Sequence, residues 1–156
     1  TNSVIEYLEY LTQAFIIRKV KRYDVIGKKI FEIGEKYYFE DLGIRNSIVG
    51  YRATEIQKYL ENIVFNHLKA NEYNVKVGQI GNKEVDFIAE KNNEKKYIQV
   101  CYLLENESTI EREFGNLKMI KDNYEKMVIS ADTISSLNTI EGIKHLSIRE
   151  FLLTFE

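Results

Sequence analysis

The hydrophobic positions follow a helical rhythm at the start of the chain and a strand rhythm soon after. Ser3-Val4-Ile5-Glu6 forms a capping box, and Val4, Tyr7, Leu8 and Leu11 recur on one face, which predicts a helix from Ser3 to about Gln13. Phe15 to Tyr23 is rich in β-branched and aromatic residues, Asp24 to Lys29 carries a glycine turn signal, and Ile30 to Ile33 is extended again. Helix plus β-hairpin is the expectation. The run Tyr37-Tyr38-Phe39 reads as a strand end passing through Asp41-Leu42-Gly43-Ile44-Arg45-Asn46 into a short helix. With Thr54 as N-cap, Ile56, Tyr59, Leu60, Ile63, Val64 and Leu68 make an apolar stripe that predicts a second long helix to about Ala70.

Three strands are then predicted over Tyr73–Val77, Glu84–Ala89 and Tyr97–Tyr102, the last two joined by a polar loop from Glu90 to Lys96. A helix from Thr109, read as its threonine cap, to about Lys121 turns Phe114, Leu117 and Ile120 inward. Met127–Ser130 and Ile143–Leu146 read as strands, and a second capping box, Ser147-Ile148-Arg149-Glu150, opens a final short helix. After residue 54 the order is α, three β, α, β, β, α. That order implies an α+β fold with a mixed β-sheet flanked by helices.

Composition adds exclusions. The chain has 156 residues, 44% hydrophobic and 29% charged, enough for one core beneath a charged surface. No apolar stretch is long enough for a membrane span and no signal pattern opens the chain, so a cytoplasmic location without a membrane partner is expected. One cysteine forms no internal disulfide, and two distant histidines make a structural zinc site improbable. The net charge of -2 is not that of a dedicated nucleic-acid binder. A solvated hairpin is the better reading of the cationic cluster Arg18, Lys19, Lys21, Arg22, Lys28 and Lys29, and any DNA contact, weak and nonspecific, is expected through it. The first helix bears Glu6 and Glu9 and neither Lys nor Arg, which argues against base reading by that element.

Candidate chemistry gathers in Glu61 on the second long helix, Glu84-Val85-Asp86-Phe87 on one strand and Ile98-Gln99-Val100-Cys101 on the next. Strand alternation places Glu84 with Asp86, and Gln99 with Cys101. If the faces coincide, two or three carboxylates form an oxygen-rich site suited to Mg²⁺ or Mn²⁺. On the residues alone, a solvated acidic surface holding no metal is the better reading. Cys101 as a nucleophile lacks a histidine at a recognisable spacing, so core packing is expected of it. Gly27-Lys28-Lys29 lacks the spacing of a phosphate loop, so no ATPase chemistry is expected within these residues.

The succession of helix glutamate, strand aspartate and acid-x-lysine position resembles the PD-(D/E)XK, restriction-endonuclease-like nuclease fold. The strings Lys36-Tyr37-Tyr38-Phe39, Asp41 to Asn46, Leu60-Glu61-Asn62-Ile63-Val64, Lys83-Glu84-Val85-Asp86-Phe87 and Tyr97-Ile98-Gln99-Val100 resemble, more specifically, the C-terminal domain of unknown function of prokaryotic AAA-type ATPases. So do Thr109 to Phe114, Lys121 to Tyr124 and Gly142 to His145, and together these strings cover nearly the whole chain. The resemblance implies a winged-helix remnant and connector over residues 1–45, a nuclease-like domain over 46–156, and an ATP-binding domain upstream in the same polypeptide.

Carried over by position, Glu61 and Asp86 keep the metal-holding acids, Gln99 stands at the third acid and Cys101 at the lysine. Glutamine removes a negative charge that a hard cation needs, and a thiol supplies no fixed positive charge. Glu84 is a candidate substitute acid, and Lys83 or Lys96 a candidate migrated cation. The resemblance therefore implies an accessory domain with a degenerate, inactive nuclease-like core that binds nucleic acid or protein. The alternatives are an active metal-dependent endonuclease with a rearranged site and a structural or oligomerisation module.

Overall fold

A computed structural model describes residues 2–32, 34–132 and 139–155 of the chain. Helix α1 (Asn2–Gln13) leads into strand β1 (Ile17–Val20), β2 (Arg22–Asp24), β3 (Lys29–Ile30) and β4 (Lys36–Phe39). The predicted hairpin is present in part: Tyr23 pairs with Ile30 and Asp24 with Lys29, while Ile33 lies outside the described residues. The preceding segment breaks at Lys21. Its first half, β1, leaves the hairpin and pairs antiparallel with β4, from Ile17 opposite Phe39 to Val20 opposite Lys36.

Helix α2 (Leu42–Val49) begins where Asp41 accepts hydrogen bonds from the Gly43 and Ile44 amides. A 3-10 turn (Ala53–Glu55) precedes α3 (Ile56–Ala70), so Thr54 lies inside that turn and is not the N-cap of the long helix. Strands β5 (Asn74–Ile80), β6 (Lys83–Lys91) and β7 (Glu94–Val100) form the predicted antiparallel meander. The loop expected over Glu90–Lys96 shrinks to Asn92 and Asn93, both at positive φ (51° and 66°), because asparagine tolerates the left-handed conformation that a two-residue hairpin needs. Helix α4 (Glu107–Lys118) is capped by Asn106, whose side chain accepts the Thr109 amide, and the expected threonine cap falls in its first turn. Strands β8 (Glu125–Ser130), β9 (Thr139–Ile140) and β10 (Ile143–Ser147) lead to α5 (Ile148–Thr154), which Ser147 caps through the Glu150 amide as its capping box predicts.

Among the described residues the main sheet has eight strands in the order β3-β2-β5-β6-β7-β8-β10-β9, and the fold is a mixed α+β one. Pairings β2–β5, β7–β8 and β8–β10 are parallel. Central strands covered on both faces read as continuous apolar runs, and Tyr97 to Val100 and Met127 to Ser130 are buried throughout. One face packs Val75, Phe87, Ile98 and Val100 against Leu60, Val64, Phe65 and Leu68 of α3. The other packs Ile88, Tyr97, Cys101 and Val128 against Phe114 and Leu117 of α4.

A three-ring cluster fixes β4 to this core. Tyr38 stacks on Phe65 with centroids 4.3 Å apart and tilts against Phe87 at 5.5 Å. Each such ring stabilises by about 1.5–3 kcal/mol on burial. Strands β1 and β4 therefore join the core of the larger sheet through Val20 and Tyr38.

Candidate functional site

Polar groups of α3 also hold β4 in place. The Asn62 side chain accepts the Phe39 amide at 2.9 Å and donates to the Phe39 carbonyl at 2.8 Å, as a neighbouring strand would. Asn66 donates to the Phe39 and Glu40 carbonyls. In this register Lys36 and Tyr38, two apart and so on one face of β4, both reach Glu61 of α3. The Tyr38 hydroxyl donates to Glu61 Oε1 at 2.5 Å, and Lys36 Nζ lies 2.5 Å from the same oxygen. Lys36 Nζ also donates to Glu84 Oε1 at 2.8 Å, and Arg22 of β2 donates to Glu84 Oε2.

Asp86 belongs to this cluster through an irregularity in β6. Lys76 pairs with Ile88 and Gly78 with Val85, so β6 carries one residue more than β5 across that interval, a bulge that includes Asp86. Beyond Phe87 opposite Ile98 the β6–β7 ladder ends, and its freed backbone groups are taken by side chains. Asp86 Oδ2 accepts the Val100 amide at 2.8 Å, Gln99 Oε1 accepts the Asp86 amide at 3.4 Å, and Gln57 donates to the Val100 carbonyl. Asp86 and Gln99 are thus plugs in a sheet opening. Unfilled backbone groups at that depth would cost about 1–3 kcal/mol each.

The charges are arranged to cancel. Burial pushes the Asp86 carboxyl well above its ordinary range, and the nearby Glu61 adds to this, which favours the protonated acid. Glu84 moves the other way: burial opposes its ionisation, but Lys36 and Arg22 hold it below the usual carboxylate range. Burial also acts against the charged form of Lys36, yet Glu61 and Glu84 raise its pKa. With Asp86 protonated, two carboxylates face two cations.

The structure brings together Glu61, Glu84, Asp86 and, at the edge, Gln99. Cys101 is not among them: it is buried beneath α4 with Phe114 and Leu117. Burial first, then Glu113, Asp132 and Asp86, push its thiol up to about 12. Ellman's reagent at pH 8 is expected to leave Cys101 unmodified in the folded chain and to titrate it fully in denaturant. Rapid modification of the folded chain would contradict this packing.

Lys83 and Lys96 do not enter the site either. Lys83 is exposed, and Lys96 pairs with Glu125 at 3.2 Å. The cation that does enter, Lys36, is the residue that sequence reasoning missed. In the N-terminal cluster, Arg18 pairs with Glu40, Lys19 with Glu35 and Arg22 with Glu84, whereas Lys21, Lys28 and Lys29 are exposed. A buried polar set elsewhere has Ser130 Oγ 2.8 Å from Asp132 and 2.9 Å from His145. Serine sits between acid and imidazole there, so the acid does not orient the histidine as nucleophilic catalysis requires.

A Haemophilus influenzae protein described as uncharacterized is 37% identical over 152 residues, which cover 97% of this chain and 37% of that protein. The chain thus spans little more than a third of the relative it matches. No family model and no solved structure matches the chain. No helix among the described residues is long and apolar enough to cross a membrane.

Proposed function

We propose that the chain is an accessory domain of a longer AAA-type, ATP-binding polypeptide, built on a nuclease-like core whose catalytic centre has become an internal ion-pair cluster. The observation that carries this reading is the Lys36 ammonium seated between Glu61 and Glu84. The positions that resemblance assigns to a third acid and a lysine hold Gln99 and Cys101. A divalent cation needs several unshared oxygens. Here Glu61 Oε1 already serves Tyr38 and Lys36, Glu84 serves Lys36 and Arg22, and Asp86 Oδ2 serves a backbone amide. The donor set does not fit Mg²⁺ or Mn²⁺ unless Lys36 leaves and Asp86 ionises.

The role proposed is binding, with Lys21, Lys28 and Lys29 as a weak, sequence-indifferent contact for nucleic acid. The upstream partner domain is consistent with a relative whose length lies mostly outside the match. A competing reading draws on the same lysine: an active endonuclease in which Lys36 has taken over the missing lysine's role. Plasmid nicking in Mg²⁺ and in Mn²⁺, run beside Asp86→Ala, separates the two. No cleavage above background is the expected result, and metal-dependent nicking abolished by Asp86→Ala would establish the competing reading.

A further inference from the structure

We infer that a cavity between the end of α1 and the sheet, sharing no lining residue with the acidic cluster, binds a small aromatic oxyanion, a phosphate or carboxylate borne on a flat apolar body. The cavity measures about 360 Å³, and Ile17, Val20, Phe65 and Val75 are among its lining residues. That size lies at the lower end of small-molecule sites, which typically run from about 300 to 1,000 Å³. Its apolar lining suits a ring rather than a solvated ion.

The polar end holds three cations, Arg18, Lys19 and Lys69, and the Glu40 carboxylate, with Lys19 paired to Glu35. Arg18 and Lys69 both line the cavity, and Arg18 is paired with Glu40. Lys69 donates to the Tyr73 carbonyl at 2.9 Å and makes no ion pair among the described residues. Burial lowers its pKa and the Arg18 charge lowers it further, against a smaller opposing pull from Glu40. A bound oxyanion relieves that repulsion and gives Lys69 its missing counter-charge.

Phe15 supplies the third observation. It ends α1 at φ 54°, with the Ile16 amide bonded to the Leu11 carbonyl and its own amide to that of Thr12. Glycine is the usual residue at such a helix end, because a side chain is strained there. Instead the chain holds a phenylalanine, 77% exposed, against this cavity. An aromatic ring kept in water on a strained backbone offers a stacking face for a planar partner.

Phenyl phosphate titrated into the isotope-labelled chain, followed by amide chemical shifts, tests the site. Saturable shifts are expected at Phe15, Arg18, Lys69 and Val75, with inorganic phosphate and phenol each binding about tenfold more weakly. Benzoate run in parallel decides which oxyanion is preferred: tighter binding than phenyl phosphate assigns a carboxylate, weaker binding a phosphate. Lys69→Met should weaken phenyl phosphate about tenfold. Phe15→Gly should weaken it while raising the melting temperature, a combination that a purely structural role would not produce. Four results would each overturn the proposal: no shifts at the cavity at about 10 mM, shifts confined to Lys21, Lys28 and Lys29, inorganic phosphate binding as tightly as phenyl phosphate, or unchanged affinity in both variants.

Discussion

Replacing Lys36 by methionine is expected to destabilise the chain by about 3 kcal/mol at neutral pH, as read from urea unfolding. Methionine keeps most of the lysine stem's volume, so the loss reports the ammonium rather than a cavity. Without it, Glu61 and Glu84 face each other across a partly buried gap with Arg22 alone in compensation. The Lys36 side chain is 28% exposed and the Glu84 side chain 34%, which places the cost toward the lower end for a broken buried pair. The pH dependence has a definite sign. Glu84 titrates below its ordinary value in the native fold, so its contribution is present above the unfolded pKa and lost as pH falls through the folded one. The penalty of Lys36→Met should therefore hold from about pH 7 down to about pH 4.5 and shrink below it. A penalty independent of pH would mean that the lysine acts only by packing.

Asp86 should behave in the opposite sense. A group whose folded pKa is raised contributes stability that is complete below its unfolded value and is lost as pH rises through the folded one. Asp86→Asn mimics the protonated acid, keeping an oxygen for the Val100 amide and replacing the carboxyl proton with an amide donor. The variant should match the parent near about pH 4 and gain on it steadily as pH rises. Asp86→Ala removes the acceptor altogether and is expected to cost about 1–3 kcal/mol near about pH 4, a cost that shrinks as pH rises. An asparagine variant that loses stability as pH rises would show that Asp86 is held ionised by its neighbours.

What the sequence disclosed about the site follows from how local each signal is. Glu61 was legible because the stripe on α3 defines which of its residues border the core, and Glu84 and Asp86 because a strand with two acids amid apolar residues is conspicuous. Cys101 was misplaced because a motif fixes spacing along a chain but not which face of a sheet each residue meets. The bulge at Asp86 has no sequence signature in this chain, and it decides where that carboxyl points. Lys36 was hidden for a different reason. It lies 48 positions before Glu84, on a strand held by Asn62 and Asn66. A polar pair on a helix carries no hydrophobic periodicity to mark it as a docking edge.

The elements themselves were more legible than their partners. Ser147 caps α5 as its capping box predicts, since that signal is contained within four residues. The hairpin's first segment could not show that β1 would leave for β4, because the pairing depends on residues near 38. Similarly, Asn106 outcompeted Thr109 as a cap by lying one turn earlier, and its side chain accepts the Thr109 amide.

The most direct test of the closed acidic centre is a Mn²⁺ titration of the native chain beside Lys36→Met and Asp86→Ala, followed by the loss of the free-ion electron paramagnetic resonance signal. No saturable site is expected in the native chain up to about 1 mM, with binding emerging only when Lys36 no longer bridges Glu61 and Glu84. One Mn²⁺ bound by the native chain and lost in Asp86→Ala would contradict it.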